Sequence, residues 1–498
     1  MHCKTSNRTQ HTGGHPRLAA GQAASRYHDR PPVTTAGAAR AAPFAAQWPY
    51  QTFLELGALA GAVPSARLHA HPPQPLPGDR PRQRGSLPPA RPPGRRRPAR
   101  RLPPGDRVTS TGTTPAGSHQ DLGRGAVGTA LARIAAARLM RLPPRETASW
   151  IRAMTAGPVT ASASASLFYG APAVAFVLHT GAHPAYAAML AALDEHVNDL
   201  TALKLAAAYQ RIDRGELTRP GEYDLISGLT GLGVYHLIRQ GSAGSGMTAA
   251  VLDYLVALSE PVCQHGESLP GWWSGTGPAS TPDAAWPMGH LNLGMAHGIA
   301  GVLALLSGAM RSGIQVDGHA KAVRELCAAF DRYRQGSNAC PWWPALITFD
   351  EYKHGTANSV RQARPSWCYG TPGHARAQQL AGLALGDQER MRVAERALAG
   401  CVLDRQVTGL LTDASLCHGW AGLVQALWRA TGDALDPRPL QAALRMARRG
   451  MEDQLTRMGP PASSGFLEGS SGIMLAQNDL SHAGGEPPAW DACLLLTL

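Results

Sequence analysis

S-L-C-H-G-W-A-G-L-V-Q-A, residues 415–426, carries the pattern that decides the fold: a polar residue, Gly-x-x-Gly, then an apolar run at helical spacing. The pattern recurs as R-G-A-V-G-T-A-L-A from Arg124, Y-G-A-P-A-V-A-F-V from Tyr169, S-G-L-T-G-L-G-V-Y from Ser227 and H-G-I-A-G-V-L-A-L from His297. It returns as Y-G-T-P-G-H-A-R-A from Tyr369 and E-G-S-S-G-I-M-L-A from Glu468. The leading glycines are Gly125, Gly170, Gly228, Gly298, Gly370, Gly419 and Gly469. Each interval holds the apolar helix, a turn and a returning amphipathic helix, which the Leu/Ala/Met stripes predict over 187–211, 246–259, 317–334, 387–403 and 438–457.

A helix pair that cannot bury its own face must stack on its neighbours. The expected fold is therefore all-α, a seven-repeat α/α toroid: a double-layered barrel with the Gly-led helices inside. An open solenoid of the same pairs is the competing architecture. Composition agrees with helix, since 44% of residues are hydrophobic and only 6% aromatic.

The net charge of +12 suggests a polyanion partner until its distribution is read. Residues 1–118 hold 17 Lys+Arg against 4 Asp+Glu and 19 of the 40 prolines, whereas 119–498 hold 30 basic against 31 acidic residues. The basicity belongs to a Pro/Arg-rich arm, expected to be a disordered or non-native extension at 1–118, with the folded domain at 119–498. No nucleic acid is expected as partner. The eight cysteines are scattered without a small-scaffold spacing, which suits a reducing compartment. Neither a secretory signal nor an apolar stretch of about 18 residues is present, so no transmembrane segment is expected and a cytoplasmic location is.

In a closed barrel the residues before the leading glycines line one mouth: Arg124, Tyr169, Ser227, His297, Tyr369, His418 and Glu468, all polar. One position earlier lie Cys368 and Cys417. Two thiols and the His418 imidazole are the donor set of a three-ligand zinc site with its fourth position open to substrate. The spacing of Cys368 and Cys417 is not that of a structural finger. Asp224, four before Gly228, serves equally as a helix-capping carboxylate. His297 reads as a helix-start histidine on a carbonyl or as a proton donor, and Arg364 as a site cation or the partner of an exposed acid. The pairs Trp272-Trp273 and Trp342-Trp343 suit a peptide groove or the core.

At E-Y-D-L-I-S-G-L-T-G (222–231), A-H-G-I-A-G (296–301), R-P-S-W-C-Y-G (364–370), L-C-H-G-W-A-G (416–422) and G-F-L-E-G-S-S-G (465–472) the chain resembles the lanthionine synthetase C-like family. The resemblance covers about 119–498 and departs from the family at Ala173, which replaces the second glycine of repeat two, and in the unmatched arm. It implies a zinc-dependent cyclase, with Zn2+ on Cys368, Cys417 and His418 and with His297, Asp224 and Arg364 as active-site residues. The implied substrate is a dehydrated lanthipeptide precursor whose cysteines add to dehydroalanine or dehydrobutyrine, giving thioether rings. A dehydratase and an export transporter are the implied partners, in a cytoplasmic complex at most peripheral to the membrane. Two other readings stay open: a zinc-stabilised peptide-binding scaffold without chemistry, and glutathione addition to dehydro residues of proteins.

Overall fold

The second glycine of each motif shows why the repeat folds as it does. A Cβ there would lie 2.2 Å from the Leu122 carbonyl at Gly128, 2.2 Å from Leu225 at Gly231, 2.1 Å from Trp367 at Gly373 and 2.0 Å from Leu416 at Gly422. The incoming chain thus folds across the first helical turn, so closely that only glycine fits. Repeat two solves the entry differently. Gly170 there adopts φ +76°, and Ala173 is fully buried at the place of the second glycine.

The computed structural model describes residues 118–240, 245–264, 266–278, 283–358, 362–481 and 488–498. The arm expected at 1–118 lies outside them, apart from Ser118. The Gly-led inner helices are Ala126–Leu139 (α1), Ala171–Gly181 (α3), Leu229–Ile238 (α5), Ile299–Arg311 (α7), Thr371–Leu385 (α9), Trp420–Gly432 (α11) and Ser470–Ser481 (α13). Their outer partners are Ala148–Met154 (α2), Ala187–Asp213 (α4), Ser245–Ala257 (α6), His319–Arg332 (α8), Gln388–Leu403 (α10) and Pro437–Met458 (α12). The amphipathic stripes located the last five to within a few residues.

The inner helices close a ring. Each packs on the next, from α1 through α3, α5, α7, α9 and α11 to α13, and α13 packs back on α1. Main-chain bonds tie the helix entries in the same order. Leu467 N donates to Gly123 O at 2.9 Å, Cys417 N to Leu467 O at 2.9 Å, Cys368 N to Cys417 O at 3.3 Å and Met295 N to Cys368 O at 2.8 Å. Leu225 N donates to Ala296 O at 3.2 Å and Leu122 N to Phe168 O at 2.9 Å. The bond from Leu467 to Gly123 joins the last repeat to the first, which an open solenoid cannot do. The toroid is the observed architecture.

The ring interior is filled by the segment around Trp490–Leu494 and the residues after it. Trp367 Nε1 donates to Leu494 O at 2.9 Å, Arg376 Nε to Leu496 O at 3.0 Å and Arg311 Nη1 to Leu498 O at 2.9 Å. Among the described residues three two-stranded sheets, unforeseen in the sequence, sit in the two longest intervals: Val262–Gln264 (β1) with Glu267–Leu269 (β2), His290–Asn292 (β3) with Leu346–Thr348 (β6), and Gln335–Ser337 (β4) with Cys340–Trp342 (β5). Strand β3 delivers the chain to His297. Trp272, Trp273 and Trp343 are buried in the core, whereas Trp342 is half-buried. Among the described residues no helix is long and apolar enough to cross a membrane.

Candidate active site

The seven residues before the leading glycines share one mouth, as the register requires: all are exposed or half-buried, although the helices they open are buried. Arg124 and Glu468, from the first and last repeats, approach to 3.4 Å across the closure.

Asp224 ends the short helix Pro220–Tyr223 and is buried. Its Oδ1 accepts from Ser227 N at 2.7 Å and Gly228 N at 2.9 Å, capping the entry to α5. Its Oδ2 lies 2.6 Å from His297 Nδ1 at the start of α7. Asp224 is thus both the cap and the partner of the histidine. With Nδ1 engaged, Nε2 is the ring nitrogen left to meet a substrate. Burial pulls the imidazole pKa down, but the Asp224 hydrogen bond and charge, aided by Cys368, outweigh it and hold His297 above its ordinary value.

Tyr369 stacks on His297 with ring centroids 6.2 Å apart and planes at 29°. Its ring passes so close to Gly294 that a Cβ there would lie 2.7 Å from Cδ1. Burial lifts the Tyr369 phenol to about 12, so it stays a protonated donor at neutral pH.

Cys368 and Cys417 meet. Their thiols hydrogen-bond each other, and Cys368 Sγ lies 3.6 Å from Ser366 Oγ. The Cys417 contact pulls Cys368 down to about 7, helped by Ser366 and the Arg364 charge, while the same contact and burial push Cys417 up. One proton of the pair therefore leaves easily and the second is held. Arg364, half-buried, acts on these thiols; the Asp224 carboxylate is occupied by Ser227, Gly228 and His297 instead. His418 follows Cys417, but its Nε2 faces Asp413 Oδ2 at 3.4 Å. Among the described residues no group of three or more His, Cys, Asp or Glu side chains is set to hold a metal ion. The donor chemistry still suits zinc, with two thiols, one of low pKa, and an imidazole whose Nε2 is steadied by a carboxylate, the usual outer support of a ligating histidine.

Asp413, Asn292 and Glu222 escaped the reading of the sequence, yet the register held a signal for them. They sit six residues before their leading glycines, as Arg364 does, and His119, Ser164 and Ser463 fill the same place elsewhere. Cβ atoms on Gly298 and Gly419 would meet Asn292 O at 2.4 Å and Asp413 Oδ1 at 2.3 Å, so Asn292 and Asp413 lie directly behind the helix entries of their repeats. Lys204 of α4 also reaches the rim, donating to Ser227 O at 3.0 Å.

Fold and site together define a closed α/α toroid that gathers a thiol pair and a carboxylate-held imidazole at the N-terminal ends of its inner helices. The chain belongs to the lanthionine synthetase C-like protein family, whose model matches residues 118–495. It is 25% identical over 269 residues to nisin biosynthesis protein NisC of Lactococcus lactis subsp. lactis, a match covering 53% of this chain and 62% of that relative. The chain thus spans less than two thirds of that relative's length. Among solved structures, nisin cyclase superposes with a TM-score of 0.64 at 22% identity, over 76% of this chain and 92% of that one, a likeness of fold.

Proposed function

We propose that the barrel mouth is the active centre of a zinc-dependent lanthipeptide cyclase, adding a peptide cysteine thiolate to dehydroalanine or dehydrobutyrine to close a (methyl)lanthionine ring. The observation that carries the reading is the Asp224–His297 pair, joined at 2.6 Å, stacked through Tyr369 beside the Cys368–Cys417 thiols. Cys368, Cys417 and His418 would hold Zn2+, which when bound lowers the pKa of a substrate thiol so that it reacts as thiolate.

The thiolate sulfur forms a bond to the β-carbon, and the electron pair of the C=C bond moves onto the α-carbon and its carbonyl as an enolate. His297, as imidazolium, gives the Nε2 proton to the α-carbon, and Asp224 steadies the charge and fixes the ring. Arg364 and the neutral Tyr369 phenol supply positive potential and a donor for the developing oxyanion. The thiol proton lost at the outset replaces the one given up by His297, so the addition balances without an oxidant. The substrate class requires a dehydrating enzyme upstream and export downstream, and a reducing cytoplasm keeps both thiols available.

Metal analysis tests the ligand assignment. The full-length chain is expected to bind one zinc, and Cys368→Ala or Cys417→Ala to lose both the metal and ring formation. Stoichiometric zinc in either purified variant would sink the assignment.

A further inference from the structure

The catalytic pair is anchored from outside the barrel. Glu222, two residues before Asp224, accepts Arg211 Nε on Oε1 at 3.0 Å and on Oε2 at 2.9 Å, and Arg211 Nη2 on Oε1 at 2.9 Å. Tyr254 Oη donates to the same Oε1 at 2.7 Å. Arg211 belongs to α4 and Tyr254 to α6, both outer helices, and both side chains are buried. Arg211 Nη1 also binds Glu216 O, so the cation is tied on two sides.

The geometry points to Glu222, Arg211 and Tyr254 as positioning residues that set the Asp224 carboxylate, and through it the direction of the His297 ring. This inference rests on the cyclase reading for its kinetic consequence only. The link is short: Asp224 N donates to Pro220 O at 2.8 Å in the turn that Glu222 pins, and Oδ2 has one side-chain partner, His297. A turn free to rock would move Oδ2 relative to an imidazole that a separate helix holds. The clamp spends a nearly buried ion pair, with side-chain exposures of 9% and 22%, next to the one carboxylate whose orientation the reaction uses. Buried pairs of this kind often add little stability over apolar packing, and in some proteins they serve to specify geometry. Arg364 and Asp413, at the register position of Glu222 in their own repeats, act on the thiol pair and on His418.

Tyr254→Phe is the cleanest probe, because it removes one hydrogen bond and leaves the ring in the core. Glu222→Gln tests the same point with the charge removed, and Asp224→Asn calibrates the response. The groups facing His297 are Asp224, Cys368 and Tyr369, and Lys204 faces Asp224 from α4; none is altered by Tyr254→Phe. In the full chain, the downfield Nδ1–H proton resonance that marks the His297 bond to Asp224 is expected to move upfield or broaden in Tyr254→Phe, and to do so further in Asp224→Asn. In step, kcat for ring closure falls roughly tenfold to a hundredfold with KM little changed, the signature of misplacement. An unchanged His297 Nδ1–H resonance in folded Tyr254→Phe overturns the inference, as does one insensitive to Asp224→Asn. If the wild-type chain closes no rings, the cyclase reading fails separately, and this resonance still decides the clamp.

Discussion

In the proposed reaction His297 is where the chemistry narrows to one atom. Its Nδ1 is bound to Asp224, so Nε2 is the position from which a proton can leave. His297→Ala is expected to keep its zinc and lose ring closure by about two to four orders of magnitude, the usual worth of a positioned acid. Wild-type rates on a dehydrated peptide would remove the acid role. The residues preceding each glycine were legible in the sequence because a closed register forces them onto one ring. The double duty of Asp224 was not, since capping a turn and holding a histidine looked like alternatives until its two oxygens were seen to divide them. The polar position at Glu222, Asn292 and Asp413 was present in the same register but hidden, because a polar residue ahead of a helix reads as ordinary loop.

At the scale of the element, the Gly-x-x-Gly entry does the positioning. Gly422 brings the chain at Leu416 to within 2.0 Å of where its Cβ would stand, and the next residues are Cys417 and His418. Gly422→Ala is therefore expected to cost roughly 1–3 kcal/mol, as overpacking does, and to separate the thiol pair. Thermal unfolding and zinc content check the two effects; an unchanged melting temperature contradicts the tight entry. Helix positions were readable because a 3.6-residue period persists over 10 residues or more. The strands were not, since three-residue pairs such as His290–Asn292 with Leu346–Thr348 carry no period and take their order from the helices beneath. The long intervals before Gly298 and Gly370 were their only trace.

At the largest scale, the described residues from Ser118 onward form a ring whose interior holds ionisable groups, and these tie its stability to pH. His374 of α9 is fully buried between Phe330 and Trp343 with neither ring nitrogen bonded, and burial drives its pKa down to about 3. The unfolded chain takes up that proton near 6.5, so the stability His374 allows is complete above 6.5 and is lost as pH falls toward 3. Asp479 acts in the opposite sense. Burial and the neighbouring Asp491 raise it to about 6, so between 3.8 and 6 its contribution falls as pH rises. His374→Leu removes two unpaired polar atoms and should flatten the acid loss, by at most about 1.4 kcal/mol per pH unit. Urea midpoints at pH 5 and pH 8 measure this; an equal gain at both contradicts it. The sequence favoured the closed ring over an open solenoid, but a count of repeats fixes no curvature and could not by itself prove closure. The contact of α13 with α1 decided it.

Most direct is the count of alkylatable thiols, by mass spectrometry, in a peptide with one cysteine and one dehydroalanine after incubation with the zinc-loaded chain and glutathione. The thiol should disappear with no change in peptide mass, and should persist when His297→Ala replaces the wild type. A thiol that still alkylates, or a mass raised by one glutathione, would contradict the cyclase and point to a scaffold or to intermolecular addition.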